Sequence, residues 1–567
     1  MSDISVRPLF RLFLAAEALF FAGAAHAAIE ISSKPTHGVS CSGGICTATS
    51  RKAVLNVGDL ETMLAAADVS VVSGNAAKDI MLRGALTWAS PSRLTLDSWR
   101  AITFGKPVDV AGTGALTIVT NDGGSGGDYV FLKSGRVRFL DVSASLVINA
   151  NAYTLVNSVA SLAAAVESNA FARYALADDY DAKADGKYGA TVVPTPLAGI
   201  FEGLGNTVSK LRFVQNPGAG QAVGFFDTVE EGAVVRDFAM TRADLTSVNR
   251  SSGDRAGMLA VINAGTIAHV YTQGVIHGRS QGSTAGGLVD ENFGTISDSS
   301  TAVSIIGGGV LGMAGGVAAL NKGSIGGCSA TGSVSAIMFA GGLVGENDGA
   351  IVNSHATGAI DSQAAGGLVS SNGAETGTIT NSFATGAVAG LFVVGGLASG
   401  NFGVISSSYA TGAVANTAAT GEAGGLVGVN DDGTIENSYA TGAVTNLDPS
   451  SAAEGGLIGD NRNSNTASII QGAYSTGHLF GPGKIGGFIG LDEQPPGHTG
   501  AAYWDLDTSG VSDPSRGAGS PPNDAGITGL SDVQLKAGLP VGFDPAIWAQ
   551  NPVINNGYPY LLALPPG

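Results

Sequence analysis

The sequence predicts an all-β fold: a right-handed parallel β-helix (β-solenoid) of about ten repeat coils, with a short helix on its N-terminal side and a C-terminal cap. Glycine supplies 86 of the 567 residues, whereas charged residues make up only 13%. A Gly-Gly pair followed by apolar residues recurs every 25 to 31 residues through the second half of the chain. Between the pairs lie short apolar or β-branched runs ended by Gly and Asn, which are typical of strands joined by tight turns. Such units bury their apolar faces only by stacking on one another.

Residues 1–27 predict a secretory signal peptide, which export would remove. Arg7 and Arg11 precede an apolar run from Leu12 to Ala25, and small residues flank His26 at the predicted cleavage site. The run is too short and too rich in alanine to span a bilayer well. We therefore expect cleavage rather than anchoring, and no transmembrane segment after the signal.

Residues 28–150 predict an N-terminal β-rich region, where alternating apolar and polar side chains indicate further β-helix. Cys41 and Cys46 are separated by four residues and are a candidate disulfide once export exposes them to an oxidising compartment. A metal site would need further Cys or His nearby, and only His37 is available.

Cys328 occupies a repeat position that other units fill with serine, so we expect a small packed side chain there.

Residues 151–215 predict a lead-in segment with a short helix in its alanine-rich stretch, Ser158 to Phe171. Residues 499–567 predict a C-terminal capping unit, in which Ser531 and Gln534 form a capping box. A solenoid has to protect its open ends from edge pairing, and this unit is placed to do so.

Residues 216–498 predict the repeat array itself. In the units that start from Gly257 to Gly455, an asparagine stands six residues after the start, at a fixed offset although the unit length varies. Stacked asparagine side chains can pass amide hydrogen bonds from coil to coil, as they do in cross-β ladders. We expect glycine to supply positive φ where the backbone turns sharply. The predicted structural ladder consists of Asn263, Asn292, Asn321, Asn347, Asn372, Asn401, Asn430 and Asn461.

The tail of each unit carries an aromatic position that has two interpretations. The rings form either an exposed stripe that stacks on sugars or an internal packing ladder. The candidate glycan-stacking residues are Tyr271, Phe383, Tyr409, Tyr439 and Tyr474.

Charge restricts the partners. The net charge is −18, and no Lys or Arg occurs between Lys322 and Arg462. A surface without cations cannot neutralise phosphates, so we expect no nucleic-acid partner.

Gly123 to Phe131 matches a calcium-binding nonapeptide once, whereas such sites are built between successive copies. We therefore expect no cofactor, with calcium as the candidate that stays open.

Catalytic motifs such as His-Glu-x-x-His and Gly-x-Ser-x-Gly are not evident, and the seven histidines are scattered along the chain. A polysaccharide lyase or glycosidase would need carboxylates, and lyases usually a Lys or Arg, on one face of adjacent coils. The middle of the array lacks these cations. We therefore expect no catalytic, cofactor-binding or metal-binding residues, and no enzyme activity.

The repeat units resemble a known family. Gly-Leu-Val-Gly at 342–345 and 425–428 and Gly-Leu-Ile-Gly at 456–459, each followed by Asn and a Tyr-Ala-Thr-Gly-like tail, are similar to the GLUG repeats of bacterial filamentous-haemagglutinin-like surface proteins. The resemblance extends over about residues 150 to 567. It implies a secreted or surface-displayed β-helical protein assigned to adhesion, and an outer-membrane secretion partner.

The expected function is that of an adhesin-like, non-catalytic protein. It would be secreted or displayed outside the bacterial outer membrane, and would attach to host or matrix glycans or proteins. A β-helix polysaccharide lyase or glycosidase is the alternative from the enzyme class. A structural surface spacer that binds nothing is the third hypothesis.

Overall fold

The computed structural model describes residues 27–132, 134–214, 222–247, 253–279, 282–307, 311–373, 376–417, 421–447, 453–465, 467–495 and 497–566. The predicted signal peptide, residues 1–27, lies outside the described residues except for its last residue. The chain divides into two compact units, Met1–Leu155 and Val156–Gly567.

The first unit is built from three walls of strands that are mostly parallel. The five-stranded wall runs in space through Lys52–Asn56, Ala28–Ser32, Asp79–Leu82, Ile102–Phe104 and Tyr129–Phe131. The three-stranded wall contains Leu86–Trp88, Pro107–Val110 and Arg136–Phe139. The third wall contains Val39–Ser42, Ile45–Ala48, Val69–Val72, Arg93–Asp97, Ala115–Val119, Ser145–Ile148 and Asn151–Val156, and its first and last pairs are antiparallel.

Alternating side chains explain why these segments of the first unit form strands. In Arg93–Asp97, for example, Leu94 and Leu96 are buried and the residues between them are not. The helix Val57–Ala66 begins where the side chain of Asn56 accepts from two backbone amides, and a shorter helix spans Gly74–Ala77. The expectation of further β-helix in residues 28–150 therefore agrees with the strand order.

The second unit contains an eleven-stranded parallel sheet, which we call the asparagine sheet. Eight of its strands follow a Gly-Gly start, two follow the degenerate starts Gly224 and Gly257, and the eleventh lies in the segment predicted as the cap. The sequence alignment missed that turn because no Gly-Gly pair precedes it. With the first unit, the chain makes about 16 turns. The strands of the asparagine sheet are Phe226–Val229, Ala260–Asn263, Val289–Asn292, Ala318–Asn321, Val344–Asn347, Val369–Asn372, Ala398–Asn401, Val427–Asp431, Ile458–Arg462, Ile489–Asp492 and Ala518–Ser520.

The other strands of the second unit stack in parallel around the remaining sides of the coils, and a two-stranded antiparallel pair, Trp548–Ala549 with Tyr560–Leu561, lies near the C-terminus. In chain order the stacked strands are Arg173–Leu176, Tyr180–Asp181, Ile200–Glu202, Thr207–Ser209, Arg212–Val214, Ala222–Val223, Val234–Arg236, Ala239–Ser247, Arg255–Gly257, Thr266–Ala268, Tyr271–Gly278, Thr284–Gly286, Thr295–Ser297, Ser300–Ile306, Met313–Gly315, Ser324–Gly326, Ser329–Ala330, Val334–Ser335, Phe339–Gly341, Ala350–Val352, His355–Ala356, Ile360–Gly366, Thr378–Thr380, Phe383–Ala384, Val388–Gly395, Val404–Ser406, Tyr409–Ala410, Val414–Asn416, Glu422–Gly424, Thr434–Glu436, Tyr439–Ala440, Val444–Asn446, Ala453–Gly455, Ile469–Ser475, Leu479–Phe480, Lys484–Gly486, Thr499–Asp505 and Ile527–Leu530.

Helices are few among the described residues of the second unit. Val159–Ser168 lies in the predicted alanine-rich stretch, begins at a capping box on Ser158 and buries one apolar face. Asp532–Leu535 begins at the predicted capping box of Ser531 and Gln534. Ala182–Asp185 and Asn555–Gly557 are 3₁₀ turns.

The core of the second unit is continuous from coil to coil. The apolar residue after each Gly-Gly pair stacks on its equivalents, and these side chains are fully buried. Each coil therefore contributes to one shared core, as the repeat predicts. This column consists of Leu259, Leu288, Val317, Leu343, Leu368, Leu397, Leu426, Leu457 and Phe488.

The structure corrects the expected role of the paired glycines. None of the Gly-Gly pairs that start the repeat units has positive φ. At the first glycine of a pair, such as Gly395, a Cβ atom would overlap the carbonyl oxygen of Ala398. The second glycine, such as Gly396, lies directly above the carbonyl oxygen of Gly425 in the next coil. Glycine is required here because backbones approach closely, not because the chain is left-handed.

Left-handed residues occupy a different corner of the coil, which the sequence analysis missed. The residue following each strand of the Thr434–Glu436 type has φ between 47° and 65°. Asn, Asp and Gly tolerate this conformation best and fill most of the positions. The column is Asp237, His269, Asp298, Gly327, Asn353, Asn381, Ser407, Asn437, Gly472 and Ala501.

Candidate interaction surface

The predicted asparagines form a ladder inside the second unit. Nδ2 of each donates a hydrogen bond to Oδ1 of the next, over distances of 2.7–3.0 Å. The ladder begins at Asn263 and ends where Asn461 donates to Oδ1 of Asp492, at 3.0 Å. All eight side chains are fully buried. They hold the coils in register and are out of reach of a ligand.

A second buried ladder is made of hydroxyl groups. Oγ of Ser382 accepts from the backbone N–H of Ser354 at 3.1 Å, and Oγ of Ser408 accepts from that of Ser382 at 3.2 Å. Each hydroxyl also donates to a carbonyl two residues earlier. Cys328 occupies this column, is fully buried and is a free thiol. Burial raises the pKa of its thiol to about 12, so it behaves as a packed side chain.

The aromatic position forms a stack whose C-terminal part is covered. His355, Phe383, Tyr409, Tyr439 and Tyr474 follow one another with ring centroids 4.7–5.0 Å apart. The last three rings are at most 2% exposed. No sugar can reach them, so the glycan-stacking interpretation is wrong for these three residues.

Two candidate rings differ from the buried ones. Phe383 is partly exposed at the edge of the cover. Tyr271 is also partly exposed, but it pairs with Ser300 in the next coil and so does not continue the stack. The five candidates therefore do not form one exposed stripe.

Residues of the capping unit supply the cover. The rings of Trp548 and Tyr558 lie 5.9 Å and 6.4 Å from that of Tyr474. The Tyr474 hydroxyl donates to the carbonyl oxygen of Pro559 at 2.7 Å, and Nε1 of Trp548 donates to Oδ1 of Asn437 at 3.2 Å. The cap thus packs along the side of the last coils as well as beyond them.

Cys41 and Cys46 are joined by a disulfide. They face each other across the antiparallel hairpin formed by Val39–Ser42 and Ile45–Ala48. Close to this hairpin, His37 forms an antiparallel bridge with Val54 of the outermost strand in the five-stranded wall. This segment covers part of an edge that would otherwise be open to strand pairing.

Acidic side chains beside the asparagine ladder form ion pairs. Glu291 pairs with Arg255 at 2.8 Å, and Asp460 pairs with Arg462 at 2.7 Å. Within the described residues, no three His, Cys, Asp or Glu side chains lie close enough to hold a metal ion.

A groove crosses four coils of the second unit. Its volume is about 420 Å³, and its lining is almost entirely apolar. Ala359, Ala387 and Ala413 lie at its exposed surface, and Asp361 is the one charged side chain among its lining residues. The full lining is Ser333, Val334, Ser335, Ala359, Ile360, Asp361, Ala387, Val388, Ala389, Ala413 and Ala415.

The strands that form the groove continue into a row of exposed apolar side chains, which we call the ridge. Leu391 and Phe392 lie on the same strand as Val388 of the groove and are 41% and 47% exposed. Large apolar side chains clustered at a surface mark interaction sites in soluble proteins. The ridge consists of Ile337, Met338, Phe339, Leu391 and Phe392.

The coils that carry the groove and ridge belong to an acidic stretch of the chain. Residues 323–461 contain eleven Asp and Glu and no Lys or Arg. Glu422 occupies the same position in its coil as Phe339 and Val393 occupy in theirs, so the three belong to one column of stacked residues. Its carboxylate forms an ion pair with Arg462 at 3.1 Å.

A polar corner lies on three adjacent turns at the start of the array. Nε of Arg236 lies 2.7 Å from Oδ2 of Asp237 and 3.7 Å from Oε2 of Glu202. Nδ1 of His269 lies 3.4 Å from Oδ1 of Asp237, and hydrogen bonding to that carboxylate raises the pKa of His269. The sequence analysis missed this grouping because only the coil winding brings the four residues together.

Two carboxyl groups are buried without hydrogen-bond partners. Asp290 stands where most later coils have Gly, Ala or Ser, and Glu454 stands in a column otherwise filled by residues such as Ala423. Neither oxygen of either group has a partner. Burial raises the pKa of Asp290 and that of Glu454 to about 7.

Residues 419–445 match a family model, the GLUG motif. The match covers one coil of the array, including the strands Glu422–Gly424, Val427–Asp431 and Thr434–Glu436. The predicted resemblance to GLUG-repeat proteins is therefore confirmed for this unit. No curated protein is significantly similar to the chain in sequence.

Two solved structures show some similarity. A candidate immunoglobulin A1 protease from Bacteroides ovatus is 15% identical, with a TM-score of 0.22, and the match covers 73% of this chain and 92% of that one. A structure described as IgA1 protease is 16% identical, with a TM-score of 0.27, and the match covers 56% of this chain and 21% of that one. Scores this low carry no argument about the activity of this chain.

Among the described helices, none combines the length and apolar character needed to cross a bilayer.

Proposed function

We propose that this β-solenoid is an adhesin-like attachment protein, secreted or displayed at the bacterial surface, and that it binds matrix or host molecules through the ridge and groove. The observation that carries the proposal is the exposure of Leu391 and Phe392 beside an apolar groove. Leaving two large apolar side chains about half exposed gains nothing for the fold. A partner that covers them gains the free energy of burying them.

Two further observations support location outside the cytoplasm. The Cys41–Cys46 disulfide is typical of proteins that fold in an oxidising compartment. The GLUG match at residues 419–445 resembles repeats of bacterial surface proteins. Recovery of the protein after cell fractionation, with protease added to intact cells, tests this location. Protection of the protein from that protease would contradict it.

We propose attachment without catalysis and without a cofactor. The test is binding of purified residues 28–567 to an array of glycans and matrix proteins, with calcium and with a chelator. Saturable binding that survives the chelator is the expected result. Binding that the chelator abolishes would support a calcium site, and an array without any binding would favour the structural spacer.

The polar corner favours a second candidate, a glycan-cleaving enzyme. There Glu202, Arg236, Asp237 and His269 bring carboxylates, a cation and a histidine to one side of adjacent turns, as a lyase or glycosidase would need. Release of reducing ends from polysaccharides, lost on His269→Ala, would support it. Equal rates of reducing-end release by the wild type and the variant would contradict the enzyme hypothesis.

A further inference from the structure

We propose that the groove and ridge bind an amphipathic, positively charged helical segment of a protein partner. This inference rests on the proposed attachment function and names the class of its partner.

The lining favours a peptide over a sugar. Its exposed surface is almost wholly apolar, with Asp361 as its charged side chain. A sugar laid into the groove would lose water from several hydroxyl groups and find few hydrogen-bond partners in return, which costs free energy. Leucine-like side chains have no such cost. Met338, Phe339 and Phe392 belong to the residue types enriched at protein interfaces.

The strands under the groove exclude binding by strand addition. Ile360–Gly366 pairs with Val334–Ser335 on one side and with Val388–Gly395 on the other. Val388–Gly395 pairs in turn with Val414–Asn416. Since these strands have neighbours on both sides, an incoming chain has no open edge to join. Docking therefore uses side chains, as when an amphipathic helix lies in an apolar groove.

Charge selects a basic partner. The chain carries a net charge of −18, and residues 323–461 contain no Lys or Arg. Asp361 is exposed and lies in the groove itself, whereas Glu422, in the next coil from Val393, is paired with Arg462 at 3.1 Å. Complementary charge speeds encounter and suppresses partners of like charge. A helix with one leucine face and a lysine face opposite satisfies both the apolar and the acidic surfaces.

The test is fluorescence anisotropy with the full chain and three synthetic peptides. The first peptide is an amphipathic leucine–lysine helix, the second carries Glu in place of Lys, and the third is a scramble of the first. We expect the first to bind at least about tenfold more tightly than the other two. We also expect its binding to weaken as salt is added.

Two variants locate the site. Phe392→Ser removes a ridge side chain, and we expect it to weaken binding of the leucine–lysine peptide by about tenfold. Phe293→Ser is a matched control, because Phe293 is also 47% exposed but follows a strand of the asparagine sheet. It should bind as the wild type does. Because both side chains are exposed, neither substitution should disturb the fold, so a difference in binding reports on the ridge.

Equal binding by the wild type and Phe392→Ser would overturn the inference, and so would equal binding of the three peptides. If the wild type binds the glycan and matrix array but not the leucine–lysine peptide, attachment stands and this partner class is wrong. If it binds neither, both proposals are wrong.

Discussion

At the scale of single residues, an asparagine inside the ladder forms hydrogen bonds with the ladder residues of both adjacent coils. Oδ1 of Asn401 accepts from Asn372, and its Nδ2 donates to Asn430. Asn401→Ala leaves a buried donor and a buried acceptor without partners, each at a cost of about 1–3 kcal/mol. We expect the free energy of unfolding in urea to fall by about 2–5 kcal/mol.

The control for this prediction is Asn463→Ala, since Asn463 is exposed. Its effect should stay within about 0.5 kcal/mol. A similar loss in both variants would show that the ladder contributes no more than a surface asparagine does.

The buried acids make stability depend on pH. The folded-state pKa values of Asp290 and Glu454 lie near 7, above the unfolded values near 4. The folded state therefore holds its protons longer as pH rises. Their favourable contribution is complete below about pH 4 and is lost as pH rises through about 7.

We expect the free energy of unfolding to fall between pH 5 and pH 8, by about 2.5 kcal/mol per group. Asp290→Asn and Glu454→Gln should each flatten that profile, whereas Glu167→Gln, at an exposed helical position, should not. Urea denaturation at both pH values checks this. A profile that is unchanged in both buried variants would contradict the assignment.

At the scale of elements, the corner of each coil depends on close backbone approach. Gly395→Ala would place a Cβ atom against the carbonyl oxygen of Ala398, so the strands at the corner must separate. We expect a loss of more than about 3 kcal/mol in the free energy of unfolding. Gly326→Ala is the matched control, because nothing lies near a Cβ atom there and its φ is not positive. It should be neutral or slightly stabilising. Equal losses would contradict the role assigned to the corner.

Much of the architecture could be predicted because the asparagine recurs at a fixed offset, which sets the strand register. The left-handed corner was harder to predict, since Asn353, Ser407 and Ala501 share a conformation but not a residue type. The eleventh turn lacks the paired glycines that mark eight of the other ten. Contacts of the cap with Asn437 join residues 111 apart and follow no period, so no repeat alignment could show them.

At the scale of the whole molecule, the candidate surface comes from stacking. Its residues belong to four coils, and no motif within one unit marks them. The repeated rings indicated either an exposed stripe or an internal packing ladder, and the structure buries Tyr409, Tyr439 and Tyr474 beneath the cap as a packing ladder. The exposed apolar side chains stand where the repeat is least regular, so periodicity could not identify them.

The acidic composition and the apolar ridge together support the proposed attachment without a nucleic-acid partner. A surface that lacks cations over residues 323–461 repels phosphate. Attachment through the ridge is tested most directly by binding of three proteins to one array of matrix proteins and glycans. These are the wild type, Leu391→Ser with Phe392→Ser, and the control Phe293→Ser with Phe402→Ser. We expect the ridge variant alone to lose about tenfold or more in affinity. Equal binding by all three proteins would contradict attachment through the ridge.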